Sequence, residues 1–310
     1  MHPFTQYPSR SVAALGEEKL ILEIRRWLGS VSPRAPFGIG DDCAVLPPRR
    51  GPSLITVDPV IYPRHFNDRV APRDVGAKLL KRNLSDLAAM GGRPTAAVLA
   101  LTLDPAVKLI WLKEFYLGLA ACARRYRVRI VGGDIAQADG ALAASLTLLG
   151  EMSGSRTVTR QGAKRGDYIF VTGQLGHSLP TGHHFRFAPR LREGAWLAAR
   201  PEVRAMMDVS DGIAKDLHAL TPAGTKPAIS AASIPRHART TLREALTNGE
   251  DYELLFAADG KSDPAKLLHH WQRAFPRVRL TLLGKFVALN APSSDYLRLE
   301  EFQGYEHLQL

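Results

Sequence analysis

The chain has 310 residues, room for one large domain or two ordinary ones, and its 45% hydrophobic content is that of a globular protein with a real core. No apolar run reaches bilayer-spanning length, the stretch from Met1 to Tyr7 lacks a signal-peptide pattern, and Cys43 and Cys122 offer neither a disulfide framework nor a metal spacing. A cytoplasmic protein with no membrane partner is therefore expected. The formal net charge of +11 favours anionic partners, and without a basic tail, a zinc finger or an aromatic-rich RNA-recognition signature, a nucleotide or phosphorylated metabolite suits that charge better than nucleic acid.

Taken in order, Gly16 to Leu28 reads as an amphipathic helix ended near Gly29. Phe37 to Leu46 places Gly38 and Gly40 just before the adjacent acids Asp41 and Asp42; such acids are common turn formers, yet neighbouring carboxylates repel unless a cation joins them. Leu54-Ile55-Thr56-Val57-Asp58 is a β-branched strand with an acid at its end, and Pro59, Pro63 and Pro72 mark a loop holding His65. A helix carrying Val75, Leu79, Leu80, Leu84 and Leu87 includes Asp86 and stops at Gly91-Gly92, with Pro94 close behind. An apolar strand (Ala96 to Leu103), a second long helix (about Ala106 to Tyr126), a short strand ending in Gly132-Gly133-Asp134, and the strand from Leu142 to Glu151 close this half.

The second half opens with the basic turn from Arg160 to Asp167 and the strand Tyr168 to Thr172. That strand leaves into Gly173-Gln174-Leu175-Gly176-His177-Ser178, a loop able to cradle phosphate through backbone N–H groups although no P-loop sequence occurs. The residues from Gly182 to Arg204 are Arg-rich and poorly periodic. Asp208-Val209-Ser210-Asp211-Gly212 precedes a helix from Ala214 to Leu220; one helix cap needs one Ser or Asp, and this segment supplies three. Asn248 to Phe256 reads as a turn entering a strand with Glu250 and Asp251 at its mouth, followed by a helix (Ala265 to Ala274) and a strand (Leu280 to Phe286). Together Asp41, Asp42, Asp58, Asp86, Asp134, Asp208, Asp211 and Glu250 suit a hard cation such as Mg²⁺ shared with substrate phosphates, which points to phosphoryl transfer or nucleotide hydrolysis.

The ordered set Gly38-Ile39-Gly40-Asp41-Asp42, Asn83-Leu84-Ser85-Asp86, Gly132-Gly133-Asp134, Arg160-Gln161-Gly162, Val171-Thr172-Gly173, Asp208-Val209-Ser210-Asp211-Gly212, Gly249-Glu250-Asp251-Tyr252-Glu253 and Gly304-Tyr305-Glu306-His307 resembles the thiamine-monophosphate kinase family. That family belongs to a superfamily with aminoimidazole ribonucleotide synthetase and selenophosphate synthetase. The resemblance implies an α/β (α+β) protein of two domains. Residues 1–151 would bind metal and ATP and form a homodimer through their sheet; residues 152–310 would be a C-terminal α/β domain completing the cleft. It implies direct transfer of the γ-phosphate of ATP to thiamine monophosphate with Mg²⁺. Asp42, Thr56, Asp58, Asp86, Asp134, Asp208 and Asp211 would be metal ligands, with Asp42, Asp86 and Asp211 central to catalysis. Gly133, Asp134, Arg160 and Ser210 would contact ATP, while His65, Glu250 and Tyr305 would lie on the thiamine side. This chain departs from the family pattern at Val57, where a hydroxyl residue is usual, and in the loop Pro63-Arg64-His65-Phe66. A related enzyme with another acceptor, and a non-catalytic nucleotide- or nucleic-acid-binding protein, are the competing readings.

Overall fold

A computed structural model describes residues 1–40, 43–48, 51–292 and 296–305; the expected acids Asp41 and Asp42, and Glu306-His307, lie outside the described residues. The chain is a mixed α/β protein with two sheets. It divides into two compact units: residues 1–84 with 93–151, and residues 85–92 with 152–310.

In the first unit, helix α1 (Gly16–Leu28) buries Leu20, Ile24, Trp27 and Leu28, the spacing of one helical face, and ends at Gly29, whose φ of 58° only glycine adopts without strain. Strand β1 (Ser53–Ile61), helix α2 (Pro72–Ala89), strand β2 (Gly92–Leu103), helix α3 (Leu109–Tyr126), strand β3 (Arg129–Gln137) and strand β4 (Leu142–Met152) follow. The sheet order is β1-β4-β2-β3, with β1 antiparallel to β4 and β2 parallel to β3. Pro59, expected in a loop, lies inside β1; an edge strand tolerates it because one side needs no ladder donor. Helices α2 and α3 approach closely: a Cβ on Gly76 would lie 2.1 Å from the Phe115 carbonyl oxygen, and one on Gly118 would lie 2.0 Å from that of Arg73. Phe66, Trp111 and Phe115 stack in this core at ring separations of 5.5 and 5.8 Å.

The second unit holds β5 (Tyr168–Thr172), three short helices α4 (Ser178–Thr181), α5 (His183–Arg186) and α6 (Leu191–Ala198), β6 (Val203–Asp208), α7 (Ile213–Leu220), β7 (Thr225–Ile229), α8 (Leu242–Thr247), β8 (Leu254–Ala258), α9 (Pro264–Ala274) and β9 (Leu280–Ala288). Its sheet order is β6-β8-β5-β9-β7. Every residue of β8 is buried, because both faces of the sheet are covered. Leu255 and Ala257 join Ile213 and Leu217 of α7 on one side, and Phe256 and Ala258 join Leu197 of α6 and Trp271 of α9 on the other.

The stretch from Gly182 to Arg204, read as irregular, contains α5 and α6; α5 is only four residues long and too short to show a period. The last turn of α2 is built into this unit by small residues. A Cβ on Gly194 of α6 would meet the Ala88 carbonyl oxygen at 2.0 Å, and one on Gly91 would meet Ala198 Cβ at 2.3 Å.

Candidate active site

The second unit gathers most of the expected site residues around the end of β6. Asp208 is buried, and its Oδ2 accepts a 2.6 Å hydrogen bond from Ser85 Oγ, brought there by the last turn of α2. Asp86 follows, partly buried, at the same end of α2. Beyond Asp208 the chain runs through Ser210 and Asp211 into α7, and the backbone N–H groups of both donate to Oδ2 of Asp216, at 3.0 and 3.1 Å. Asp216 lies in the helix read from Ala214 to Leu220 and was not singled out from sequence. Burial, with the Asp208 and Asp211 charges adding to it and the two N–H bonds opposing it, pushes its carboxyl up to about 8.

The turn before β8 closes on this segment. Glu250 N–H donates to the Ser210 carbonyl at 2.8 Å, Tyr252 N–H donates to that of Val209 at 2.8 Å, and Val209 N–H donates to that of Glu253 at 2.8 Å. The ladder forces Glu250 and Tyr252 into left-handed conformations, with φ of 55° and 53°, and a Cβ on Gly249 would lie 2.6 Å from the Ser210 carbonyl oxygen. Asp251, between them, turns inward: its carboxylate accepts from Ser178 Oγ at 2.6 Å and from Gly176 N–H at 3.0 Å. Burial pushes Asp251 up to about 7 against these two bonds, with the Glu253 and Glu250 charges adding to the rise. The glycine loop expected to cradle phosphate therefore turns its Gly176 N–H onto a carboxylate of the protein itself.

Two further side chains frame the turn. Glu253 receives Thr172 Oγ1 at 2.6 Å and Arg190 Nε at 2.7 Å on Oε2, with Arg190 Nη2 on Oε1. Glu250 Oε2 lies 3.1 Å from Nδ1 of His184, a residue of α5. At the C-terminal end, Tyr305 is stitched to the same segment. Its N–H donates to the Asp211 carbonyl at 2.8 Å, and its own carbonyl accepts from Lys215 Nζ at 2.7 Å while that ammonium also pairs with Asp211 at 2.9 Å. Lys215 and Gly304 border a cavity of about 720 Å³ along α7 and β7. Arg160 is exposed in a stretch beside β6, where Thr159 O accepts from Met206 N–H at 2.9 Å.

The remaining expected residues belong to the first unit. Asp58 pairs with Arg82 at 3.0 Å, and strand alternation puts Thr56 and Asp58 on one face of β1 with Ile55 and Val57 on the other. Val57 is 61% exposed, so the missing hydroxyl at this position would have faced away from Asp58. Gly132, Gly133 and Asp134 lie within β3 rather than past its end; Gly133 is required there, since a Cβ would come 2.2 Å from the Leu99 carbonyl oxygen across the parallel pair. Gly133 and the exposed Asp134 line a cavity of about 110 Å³ against Ile21 and Ile24 of α1. His65 sits beyond β1 with Nδ1 accepting from Ile61 N–H at 3.0 Å. Among the described residues no three His, Cys, Asp or Glu side chains converge as a ready metal site.

Serine 85, His184, Arg190, Asp216 and Glu253 were not singled out from sequence. Ser85 and Glu253 stood inside motifs read for their neighbours, Asp216 lies a few residues past the Asp208–Gly212 motif that it holds, and His184 and Arg190 gain meaning only from partners distant in the chain.

The domain family described as "AIR synthase related protein, N-terminal domain" matches residues 40–152. The chain is 36% identical over 246 residues to a thiamine-monophosphate kinase of Rhodopirellula baltica, covering 72% of this chain and 76% of that protein. The crystal structure of a thiamine-monophosphate kinase from Stenotrophomonas maltophilia superposes with a TM-score of 0.72 at 30% identity, over 88% of this chain and 95% of that one. A structure described as AaThiL complexed with AMPPCP and TMP superposes with a TM-score of 0.68 at 27% identity, over 98% of this chain and 99% of that one.

Proposed function

The chain belongs to the thiamine-monophosphate kinase family, and we propose that it transfers the γ-phosphoryl group of ATP to the phosphate of thiamine monophosphate, giving thiamine diphosphate and ADP. The observation that carries this reading is the convergence of Ser85, Asp208, Ser210, Asp211, Glu250 and Tyr305 on one end of β6, joined by the bonds described above. In the reaction an oxygen of the acceptor phosphate forms a bond to the γ-phosphorus as the bond to the β-bridging oxygen breaks, and ADP leaves with that electron pair. No covalent enzyme intermediate is needed, so the protein's task is positioning and charge neutralisation.

The donor set fits Mg²⁺. Asp86, Asp208 and Asp211, with Thr56, Asp58, Asp134 and Asp42 as the other proposed ligands, offer only hard oxygens, and the crowding of Asp208, Asp211 and Asp216 is what a divalent cation relieves. When bound, the metal would neutralise the phosphate oxygens. Ser85 holds the Asp208 carboxylate in one orientation, and Ser210 is a further proposed contact to ATP. Gly133, Asp134 and Arg160 are the proposed contacts to ATP. His65, Glu250 and Tyr305 are assigned to the acceptor, Tyr305 as a stacking face for a heterocycle.

We further assign a homodimer through β1. Ile55 and Val57 are 69% and 61% exposed on one face of that edge strand, an apolar surface that a second copy would cover. The deciding experiment incubates purified protein with ATP, Mg²⁺ and thiamine monophosphate and follows thiamine diphosphate by chromatography. Formation with a matching release of ADP is the expected result. ATP binding without thiamine diphosphate would overturn the assignment and direct attention to other phosphate acceptors.

A further inference from the structure

The loop that follows β1 and carries His65 is tied together by its own residues. His65 N–H donates to the Ile61 carbonyl at 2.7 Å, and Nδ1 of the same residue accepts from Ile61 N–H at 3.0 Å. Tyr62, the next residue, reaches along the loop. Its hydroxyl donates to Asp68 Oδ1 at 3.0 Å, and its N–H donates to the Leu142 carbonyl of β4 at 3.0 Å. The Tyr62 ring meets Phe66 with centroids 5.7 Å apart and planes at 54°, and Phe66 stacks in turn on Trp111. A second aromatic partner comes from far away in the chain: Phe4 meets the Tyr62 ring nearly edge to face, at 5.7 Å and 74°. Phe4 is anchored elsewhere. Thr5 N–H donates to the Ala106 carbonyl at 2.9 Å and Lys108 N–H to that of Pro3 at 2.7 Å, so its neighbours on both sides pair with the segment leading into α3. Val107, opposite Phe4 in this bridge, is fully buried. The Phe4 ring is therefore a fixed wall set against the loop rather than a part of it.

We propose that Phe4 is a positioning residue that, acting through Tyr62, holds His65 in place for the acceptor. The inference rests on the reading that His65 contacts thiamine monophosphate. A side chain on a loop aids binding only for the fraction of time it spends in the competent arrangement, and the apparent affinity falls by that fraction. Here the arrangement passes from residue to residue. His65 is bonded twice to Ile61, Ile61 is joined covalently to Tyr62, and the Tyr62 ring is in contact with both Phe66 and Phe4. Edge-to-face aromatic pairs are directional, so the Phe4 ring limits how far Tyr62 can tilt or change rotamer. Without that ring Tyr62 would gain rotamers, its bond to Asp68 would open, and the turn from Ile61 to His65 would sample other conformations. The brace falls on the same loop in which this chain departs from the family pattern, at Pro63-Arg64-His65-Phe66. The residues assigned to ATP take no part in this relay, so the effect should fall on the acceptor alone. Phe4 thus acts through Tyr62 and need not touch the substrate.

The test measures KM for thiamine monophosphate and for ATP separately in the full-length wild type, F4A, F4L, F4Y, Y62A, H65A and the double variants F4A/Y62A and F4A/H65A, with thermal melting of each. The worth of one aromatic pair predicts that F4A raises KM for thiamine monophosphate about threefold to tenfold, with KM for ATP within about twofold. F4Y, which keeps the ring, should match the wild type, and F4L, which keeps bulk without a ring, should show a smaller rise. Adding F4A to Y62A or to H65A should change KM by less than about twofold, because the relay is already broken. Should F4A not fold, F4L takes its place in every comparison. An unchanged KM in F4A beside a raised one in H65A overturns this inference alone. An unchanged KM in H65A overturns the place of His65 and this inference with it. A wild type that makes no thiamine diphosphate overturns the proposed function itself. A rise in both KM values together, or one that F4A still produces on Y62A or H65A, refutes the positioning role.

Discussion

Replacing Glu253 with Gln probes the anchoring of the turn that carries Glu250, the proposed acceptor contact. Glu253 is 4% exposed, and its carboxylate receives Arg190 in a two-pronged pair as well as the Thr172 hydroxyl, which in turn accepts Leu254 N–H at 2.8 Å. Gln keeps the volume and one acceptor oxygen, but its NH2 must face either the guanidinium or the Thr172 hydroxyl. Breaking a buried ion pair by changing one partner costs roughly 3–5 kcal/mol. Arg190 keeps 19% of its side chain exposed, so water recovers part of its hydration, and the amide oxygen restores one bond of about 1 kcal/mol. The net expectation is a loss of about 2–4 kcal/mol.

Urea unfolding reads this directly. Trp196 and Trp271 meet edge to face, with centroids 5.5 Å apart, in the core of the second unit, so their fluorescence follows that unit. A loss below about 0.5 kcal/mol would refute the account of the network. A double-mutant cycle with R190M gives the internal check, because the second substitution should cost far less in the E253Q background than in the wild type. The neighbouring Gly173 belongs to the same prediction: a Cβ there would lie 2.0 Å from Glu253 Oε1, and its φ is 64°, so G173A should destabilise the same unit.

Asp251 predicts a pH dependence. Its folded value, about 7, stands above the usual 3.8, so the fold favours the protonated form. The stabilising contribution is therefore complete below about pH 4 and is lost as pH rises towards 7, by linkage roughly 2–4 kcal/mol in all. D251N, neutral throughout, should gain on the wild type by that amount between pH 4 and pH 7.5 in urea melts, and parallel curves would disprove the reasoning. D86N keeps size while removing a proposed metal ligand; turnover should fall by at least about a hundredfold with the melting temperature little changed, and a fully active variant would remove Asp86 from the site. I55K places a charge on the apolar face of β1; light scattering should report the proposed dimer for the wild type and a monomer for the variant, and an unaltered mass would place the interface elsewhere.

Much of this architecture was legible because it is written locally. The apolar spacing of α1 and the β-branched run of β1 are periodic signals, and their elements appear where expected. Gly132-Gly133 was read as a strand exit because glycine fits strands poorly, yet Gly133 sits mid-strand for a reason that lies on β2, at the Leu99 carbonyl. Val57 was read as a missing ligand because adjacent positions look equivalent in a sequence; the pleat sends it to the opposite face from Asp58. His184 and Arg190 sit in a region of short helices whose period never develops, and their partners, Glu250 and Glu253, are more than sixty residues away.

The same distinction explains how a chain with net charge +11 builds an acidic centre. Between positions 208 and 216, and again between 250 and 253, six carboxylates occur within two short segments. Three meet cationic or cation-capable side chains: Asp211 with Lys215, Glu250 with His184 and Glu253 with Arg190. Asp216 and Asp251 are instead held by backbone N–H groups and a hydroxyl, and these are the two whose carboxyls burial pushes up to about 8 and about 7. Neutral donors orient a carboxylate without cancelling its charge, whereas a paired cation does both. The acids oriented by neutral groups are therefore the ones that keep a proton near neutral pH, and the paired ones hold the chain around them. A bound cation would favour the ionised form of the first set.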